Sequence, residues 1–172
     1  MSDTLVVNEI YLSLQGESSF AGLPCIFIRL TACNLRCSYC DTAYAFTEGK
    51  KMLVEEIRTE VKRLGASFVA ADVRRRTPSP TTNNPPPHVG GYRLPLVELT
   101  GGEPLLQTNS IPLMKQLCDD GFTVLIETSG ALGIAPVDPR VRRIMDLKCP
   151  SSGEVERNRG ENLPHLKQTD EV

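Results

Sequence analysis

Apolar positions along the chain gather into short runs, each leading into a polar loop, with helical rhythm in the intervals between some of them. Leu5 to Leu14 (LVVNEIYLSL) mixes alternation with short apolar runs, which predicts one or two extended segments. Cys25 to Leu30 (CIFIRL) is β-branched and aromatic and follows the turn signal Gly22-Leu23-Pro24, so it predicts a strand that delivers the chain to Cys33. Met52 to Leu64 spaces Leu53, Ile57, Val61 and Leu64 as one face of an amphipathic helix, with Gly65 as the expected stop.

Between residues 66 and 94 the pattern collapses. RRRTPSPTTNNPPPHVGG holds too few apolar residues and too many prolines to pack, which predicts a flexible surface insertion. Its Arg74-Arg75-Arg76 run reads as a solvated face ahead of an anion site, and His88 as exposed. Order resumes in Pro95 to Thr100 (PLVELT), a buried-type strand ending in Gly101-Gly102-Glu103-Pro104. Ser110 as N-cap with Pro112 in the first turn predicts a helix through Cys118. Phe122 to Glu127 (FTVLIE) is the next strand, leading into Thr128-Ser129-Gly130, and Val141 to Asp146 (VRRIMD) a fourth, after a link with room for a short helix. This βαβαβ(α)β order implies an α/β fold, a single domain over residues 1–172 with a parallel sheet and helices outside, drawn as a partial, open TIM-like barrel. The polar loops then all lie at the carboxyl ends of the strands, where such folds build their sites.

Composition narrows the class of partner. With 19 Lys+Arg against 21 Asp+Glu, the net charge of -2 offers no field for a polyanion, so nucleic acid is not expected. No apolar run approaches the roughly 20 residues of a membrane span, and the N-terminus lacks a signal-peptide layout, so a cytoplasmic location and no membrane partner are expected. Six cysteines, three of them close together, suit a metal site in a reducing compartment better than a disulfide framework. Cys25 and Cys118 read as small hydrophobes, while Cys149 adjoins a polar site.

Cys33-Asn-Leu-Arg-Cys37-Ser-Tyr-Cys40 is C-x3-C-x2-C. Structural zinc and electron-transfer [4Fe-4S] sites normally take four protein ligands, so three cysteines leave one iron of a cluster open to an outside ligand. A zinc knuckle completed by Cys149, His88 or His165 is the bland alternative, without conventional spacing to support it.

With the strand-end loops, this motif resembles the radical S-adenosylmethionine superfamily. The resemblance implies a [4Fe-4S] cluster on Cys33, Cys37 and Cys40, with S-adenosylmethionine on the open iron. It further implies Tyr39 beside the adenine, Gly101 and Gly102 close to the ligand, Glu103 accepting from the methionine ammonium, and Ser129 at the ribose or carboxylate. Simple packing around the cluster for Tyr39, and turn capping for Ser129, are competing readings.

A closer resemblance runs from Ile10 to Pro150, through Gln15-Gly16-Glu17, Arg29, Cys37-Ser-Tyr-Cys40-Asp41-Thr42, the TGGEP run and Asp146-Leu-Lys148-Cys-Pro150-Ser151. These are similar to the 7-carboxy-7-deazaguanine synthases, radical lyases that contract 6-carboxy-5,6,7,8-tetrahydropterin with loss of ammonia on the route to queuosine and other 7-deazapurines. The resemblance implies substrate contacts from Gln15, Gly16, Glu17, Arg29 and Thr100, a Mg2+ ion on Thr42 with Asp41 in support, and Lys148 near the adenosylmethionine. Arg29 can grip a carboxylate bidentately and Glu17 can accept from guanidine-like N–H groups; pairing of Arg29 with Glu98 or Glu127 is the duller possibility. Homodimerisation and a flavodoxin- or ferredoxin-type reductant are implied as well. Family members continue past Lys167-Gln-Thr-Asp-Glu-Val172 into a further strand, so this chain reads as truncated. A glycyl-radical activase and a non-catalytic iron–sulfur or zinc fragment are the alternatives, the first disfavoured by Gln15-Gly16-Glu17 and Asp41-Thr42.

Overall fold

The computed structural model describes residues 3–76 and 94–172, with side chains of the long helix described through residue 68. The strands are β1 (Thr4–Leu14), β2 (Pro24–Leu30), β3 (Lys50–Leu53), β4 (Leu96–Gly101), β5 (Val124–Thr128) and β6 (Arg142–Met145), and the helices α1 (Val54–Arg76) and α2 (Ser110–Asp119). They form one open sheet in the order β3-β1-β2-β4-β5-β6. β2, β4, β5 and β6 run parallel, as expected, but β1 is antiparallel to both β2 and β3. The sheet is therefore mixed. Its β1–β2 link, residues 15–23, is shorter than the roughly twelve residues that a parallel crossover takes.

Four local expectations change. Lys50–Leu53 is a strand, its register with β1 running Thr4 to Leu53 through Val7 to Lys50, so the helix begins at Val54 rather than Met52. Gly65 does not end α1, which continues through Arg76 into the stretch expected to be a loop. A Cβ there would sit 3.3 Å from Phe122 Cε1, so glycine serves close packing of α1 on Phe122. Residues 77–93 of the expected insertion, with His88, lie outside the described residues. Asn109 rather than Ser110 is the N-cap of α2, and the β5–β6 link forms turns such as Val137 N–H to Ile134 O instead of a helix.

The two-residue period of the strands separates two faces. Ile26, Ile28, Val97, Leu99, Val124 and Ile126 point toward α1 and α2, where Ile57, Val61, Leu113, Met114 and Leu117 complete the main core. The other face begins apolar, with Cys25, Phe27, Leu96 and Leu125 packed together. Two residues further along each strand it turns polar, at Arg29, Glu98 and Glu127. The site is thus the carboxyl-end continuation of the second core.

Beyond β6, Glu171 makes a parallel bridge to Ile144, so the polar run at the end of the sequence lies along that strand. Asp170 fixes it there, its buried carboxylate accepting from Arg143 Nη1 at 3.1 Å and from the Arg143 and Lys167 backbone N–H groups. Burial alone would raise the Asp170 carboxyl, but these donors hold it below its ordinary value. Its contribution to stability is therefore present above the ordinary carboxylate pKa and lost as pH falls through the lowered one. Asp170→Asn is expected to cost about 2 kcal/mol at neutral pH, and the cost should shrink steadily as the pH is lowered through the acid range and the native carboxyl protonates too; urea unfolding across a pH series checks this. No helix among the described residues is long and apolar enough to cross a membrane.

Candidate active site

The Cys33 loop leaves β2 through Ala32, a non-glycine residue at φ +79. The GGEP loop leaves β4 beside it. Gly102 N–H donates to Leu30 O at 3.2 Å and Glu103 N–H to Ala32 O at 2.9 Å. A Cβ on Gly102 would lie 2.0 Å from Ala32 O, and Gly101, at φ +129, would place one 2.2 Å from Leu30 O. Both glycines are thus required for the two loops to touch. The cysteine loop is further held by buried Leu35, by Arg36 stacked over Phe46 at 4.3 Å, and by Ser38, whose hydroxyl donates to Ser151 O at 2.6 Å.

These loops enclose a cavity of about 680 Å³, a size suited to a cofactor with a small substrate. Cys33, Cys37, Tyr39, Cys40, Asp41, Thr42, Gly101, Gly102, Ser129 and Lys148 line it, together with Gln15, Gly16, Glu17, Arg29 and Thr100. Every site residue expected from sequence is therefore in one place except Glu103. Cys33 and Cys37 are half-buried and Cys40 is exposed, all as free thiols. Among the described residues no three Cys, His, Asp or Glu side chains stand as a compact metal cage. The donor set nonetheless suits an iron–sulfur cluster: three soft ligands on one short loop at the wall of an open cavity. Cys149 and His165, the described candidates for completing a zinc site, do not line the cavity.

Glu103 has a different place from the one expected. Its side chain is fully buried behind the wall, where it accepts from Leu105 N at 3.0 Å, Thr128 Oγ1 at 2.8 Å, Ser129 N at 2.9 Å and Ser129 Oγ at 2.6 Å. It pins the ends of β4 and β5 together, and it commits the Ser129 hydroxyl inward.

Arg29 avoids both Glu98 and Glu127. Its Nε donates to Glu9 at 2.8 Å and its Nη2 to Tyr11 Oη at 3.0 Å, with the guanidinium 5.8 Å from the Tyr44 ring centre. Burial works against the charge, but the Glu9 hydrogen bond together with Tyr11 and Tyr44 offsets it, and the Arg29 pKa is raised. Thr42 Oγ1 donates to Asp41 at 2.7 Å, so hydroxyl and carboxylate stand as a pair of hard oxygens of the kind Mg2+ takes. Lys148 pairs with Asp146 at the cavity edge, and this bond raises its pKa against the lowering effect of burial.

Glu98 and Glu127 were named from sequence only as possible partners of Arg29. They are carboxyls on adjacent strands lining the cavity, Glu98 buried and accepting from Gln15 Nε2, Glu127 half-buried and accepting from Thr100 Oγ1 at 2.7 Å. The available signal was a carboxylate at the inward phase of apolar strands. Burial, reinforced by the Glu127 charge, pushes the Glu98 carboxyl up to about 8; burial also raises Glu127. For Glu98 the sign is the reverse of that for Asp170: its favourable share is complete below the ordinary carboxylate pKa and is lost as pH rises toward about 8. Glu98→Gln is expected to remove a stability decline of up to about 1.4 kcal/mol per pH unit across that interval, measured by denaturant unfolding at pH steps.

An α/β domain with a three-cysteine loop and a glycine loop meeting over one cavity at the carboxyl ends of parallel strands is the class that this geometry defines. Comparison with known proteins places it more narrowly. The chain is 47% identical over 167 residues to the 7-carboxy-7-deazaguanine synthase of Koribacter versatilis, covering 96% of this chain and 62% of that one. The synthase of Chlorobaculum tepidum is 42% identical, with 92% and 60% covered, and that of Thermoplasma acidophilum 32% identical, with 96% and 67% covered. This chain belongs to the 7-carboxy-7-deazaguanine synthase family. It spans about three-fifths of the length of the first two relatives. QueE from Escherichia coli has the same fold, with a TM-score of 0.64 at 23% identity over 95% of this chain and 68% of that one. No family model matches the chain.

Proposed function

We propose that this chain is the radical S-adenosylmethionine core of a 7-carboxy-7-deazaguanine synthase, a lyase that contracts 6-carboxy-5,6,7,8-tetrahydropterin with loss of ammonia in queuosine or related 7-deazapurine biosynthesis. The observation that carries this reading is the convergence of Cys33, Cys37 and Cys40 with Gln15, Glu17, Arg29, Thr42 and Thr100 on one cavity. A [4Fe-4S] cluster with S-adenosylmethionine supplies one-electron cleavage of the sulfonium, and with it hydrogen-atom abstraction. The protein's part is to bind, orient and exclude water. Cys33, Cys37 and Cys40 hold the cluster, with Tyr39, Gly101, Gly102, Ser129 and Lys148 around the adenosylmethionine. Glu103 supports that wall from behind. Arg29 takes the substrate carboxylate, Glu17 its guanidine-like edge, and Thr42 with Asp41 a Mg2+ ion beside it. A cytoplasmic homodimer served by a flavodoxin- or ferredoxin-type reductant completes the proposal.

Product formation by the reconstituted chain tests the reading as a whole. A finer expectation concerns Arg29: Arg29→Met should raise KM for the pterin about thirtyfold, equivalent to about 2 kcal/mol for a charge-assisted contact, and leave KM for S-adenosylmethionine unchanged. Equal effects on both KM values would place Arg29 outside the substrate site.

A further inference from the structure

We propose that Glu98 is the positioning residue of the Gln15-Gly16-Glu17 turn: by fixing the amide of Gln15 it sets the turn that presents Glu17 to the cavity, and so determines which substrate edge is accepted. The substrate named rests on the function proposed above; the positioning does not.

Glu98 and Gln15 are 2% and 5% exposed. Glu98 Oε2 accepts from Gln15 Nε2, reaching it from the middle of β4 on the face that lines the cavity. The other end of the same amide is also used: Gln15 Oε1 accepts from Gly16 N at 2.8 Å and Glu17 N at 3.3 Å. The Gln15 backbone closes the loop, its N–H donating to Leu23 O at 2.8 Å and its carbonyl accepting from Gly22 N at 2.7 Å. A primary amide has one donor end and one acceptor end. With an acceptor at 98 the donor end must point down into the sheet, which leaves only the oxygen for the two turn amides. Without it, the amide is free to turn, and an NH2 facing two N–H groups repels them. The ionised carboxyl can only accept; the neutral one still offers its carbonyl oxygen to Gln15 Nε2, and the two turn N–H groups, which need the amide oxygen, select that arrangement. On the far side of Glu17 the loop is tied again, by Ser19 N to Glu171 Oε2 at 3.0 Å. The residue between the two ties is the one aimed at the ligand.

The test compares Glu98→Leu, which has the shape but no acceptor, with Glu98→Gln, which keeps a carbonyl oxygen. In the full chain, amide exchange at Gly16 and Glu17 should accelerate about tenfold in Glu98→Leu and stay near the parent in Glu98→Gln. In the reconstituted enzyme, KM for the pterin should rise about tenfold in Glu98→Leu, with kcat and KM for S-adenosylmethionine within about twofold, and Glu98→Gln should restore it. Should Glu98→Leu not fold by circular dichroism, Glu98→Met, which also lacks an acceptor and leaves Gln15 in place, should give the same exchange result. Unchanged exchange in the leucine or methionine variant, or a glutamine variant that behaves like leucine, overturns the proposal. If the parent chain makes no product while Gly16 and Glu17 respond as described, the functional reading fails and the positioning role stands.

Discussion

Replacing Glu103 with alanine is expected to lower folding stability by about 4 kcal/mol, the largest single cost of any polar substitution in the site. The carboxylate is wholly inaccessible and accepts from two backbone N–H groups and two hydroxyls. Its removal leaves donors on both β4 and β5 ends without partners, in a place water does not reach. Each hydrogen bond to a charged acceptor is worth about 1.5–3 kcal/mol, and the total falls below their sum because the cavity wall relaxes. Glu103→Gln keeps one oxygen and should recover roughly half of the loss. Urea unfolding of the apo chain reads this directly. The experiment also separates two views of the residue, since a side chain that served only to bind the methionine ammonium would change stability little in the absence of ligand.

The largest effect on activity is expected from the cysteines. Cys37→Ser should lose the charge-transfer absorption of the reconstituted cluster and reduce product formation by more than about a hundredfold, because even outer-shell partners of a metal ligand are worth ten- to a hundredfold. Cys33→Ser and Cys40→Ser should match it. Cys149→Ser, outside the cavity, should retain cluster absorption. Loss of the cluster in Cys149→Ser with retention in Cys37→Ser would indicate a different ligand set.

The four parallel strands and their loops were legible because β2, β4 and β5 are short apolar runs, the pattern of strands buried on both faces, and all four lead into a polar motif. The cysteine loop and TGGEP were legible as spacing and as glycines, although the structure gives those glycines a second duty, bringing the two loops into backbone contact. β3 was missed because Lys50–Leu53 is an edge strand with exposed Leu53, whose pattern merges into the helix that follows. The length of α1 was missed because Gly65 resembles a stop, and only the approach of Phe122 explains a glycine that stays helical. The antiparallel entry of β1 followed from loop length rather than from strand composition. Within the site, Glu103 was assigned to the ligand because a carboxylate beside two glycines is a plausible acceptor; that Thr128 and Ser129 already satisfy it depends on a fold contact between β4 and β5. Glu98 and Glu127 carried a weaker signal, a charge in the inward phase of a strand, whose meaning emerges once Gln15 and Thr100 are seen to bind them.

The central claim is tested most directly by reconstituting the 172-residue chain anaerobically with iron and sulfide, reducing it, and supplying S-adenosylmethionine, Mg2+ and 6-carboxy-5,6,7,8-tetrahydropterin. The account predicts a three-cysteine cluster, 5′-deoxyadenosine, and 7-carboxy-7-deazaguanine with release of ammonia. A chain that assembles the cluster and cleaves S-adenosylmethionine yet leaves the pterin unchanged would contradict the proposed substrate, and one that assembles no cluster would contradict the assignment of Cys33, Cys37 and Cys40.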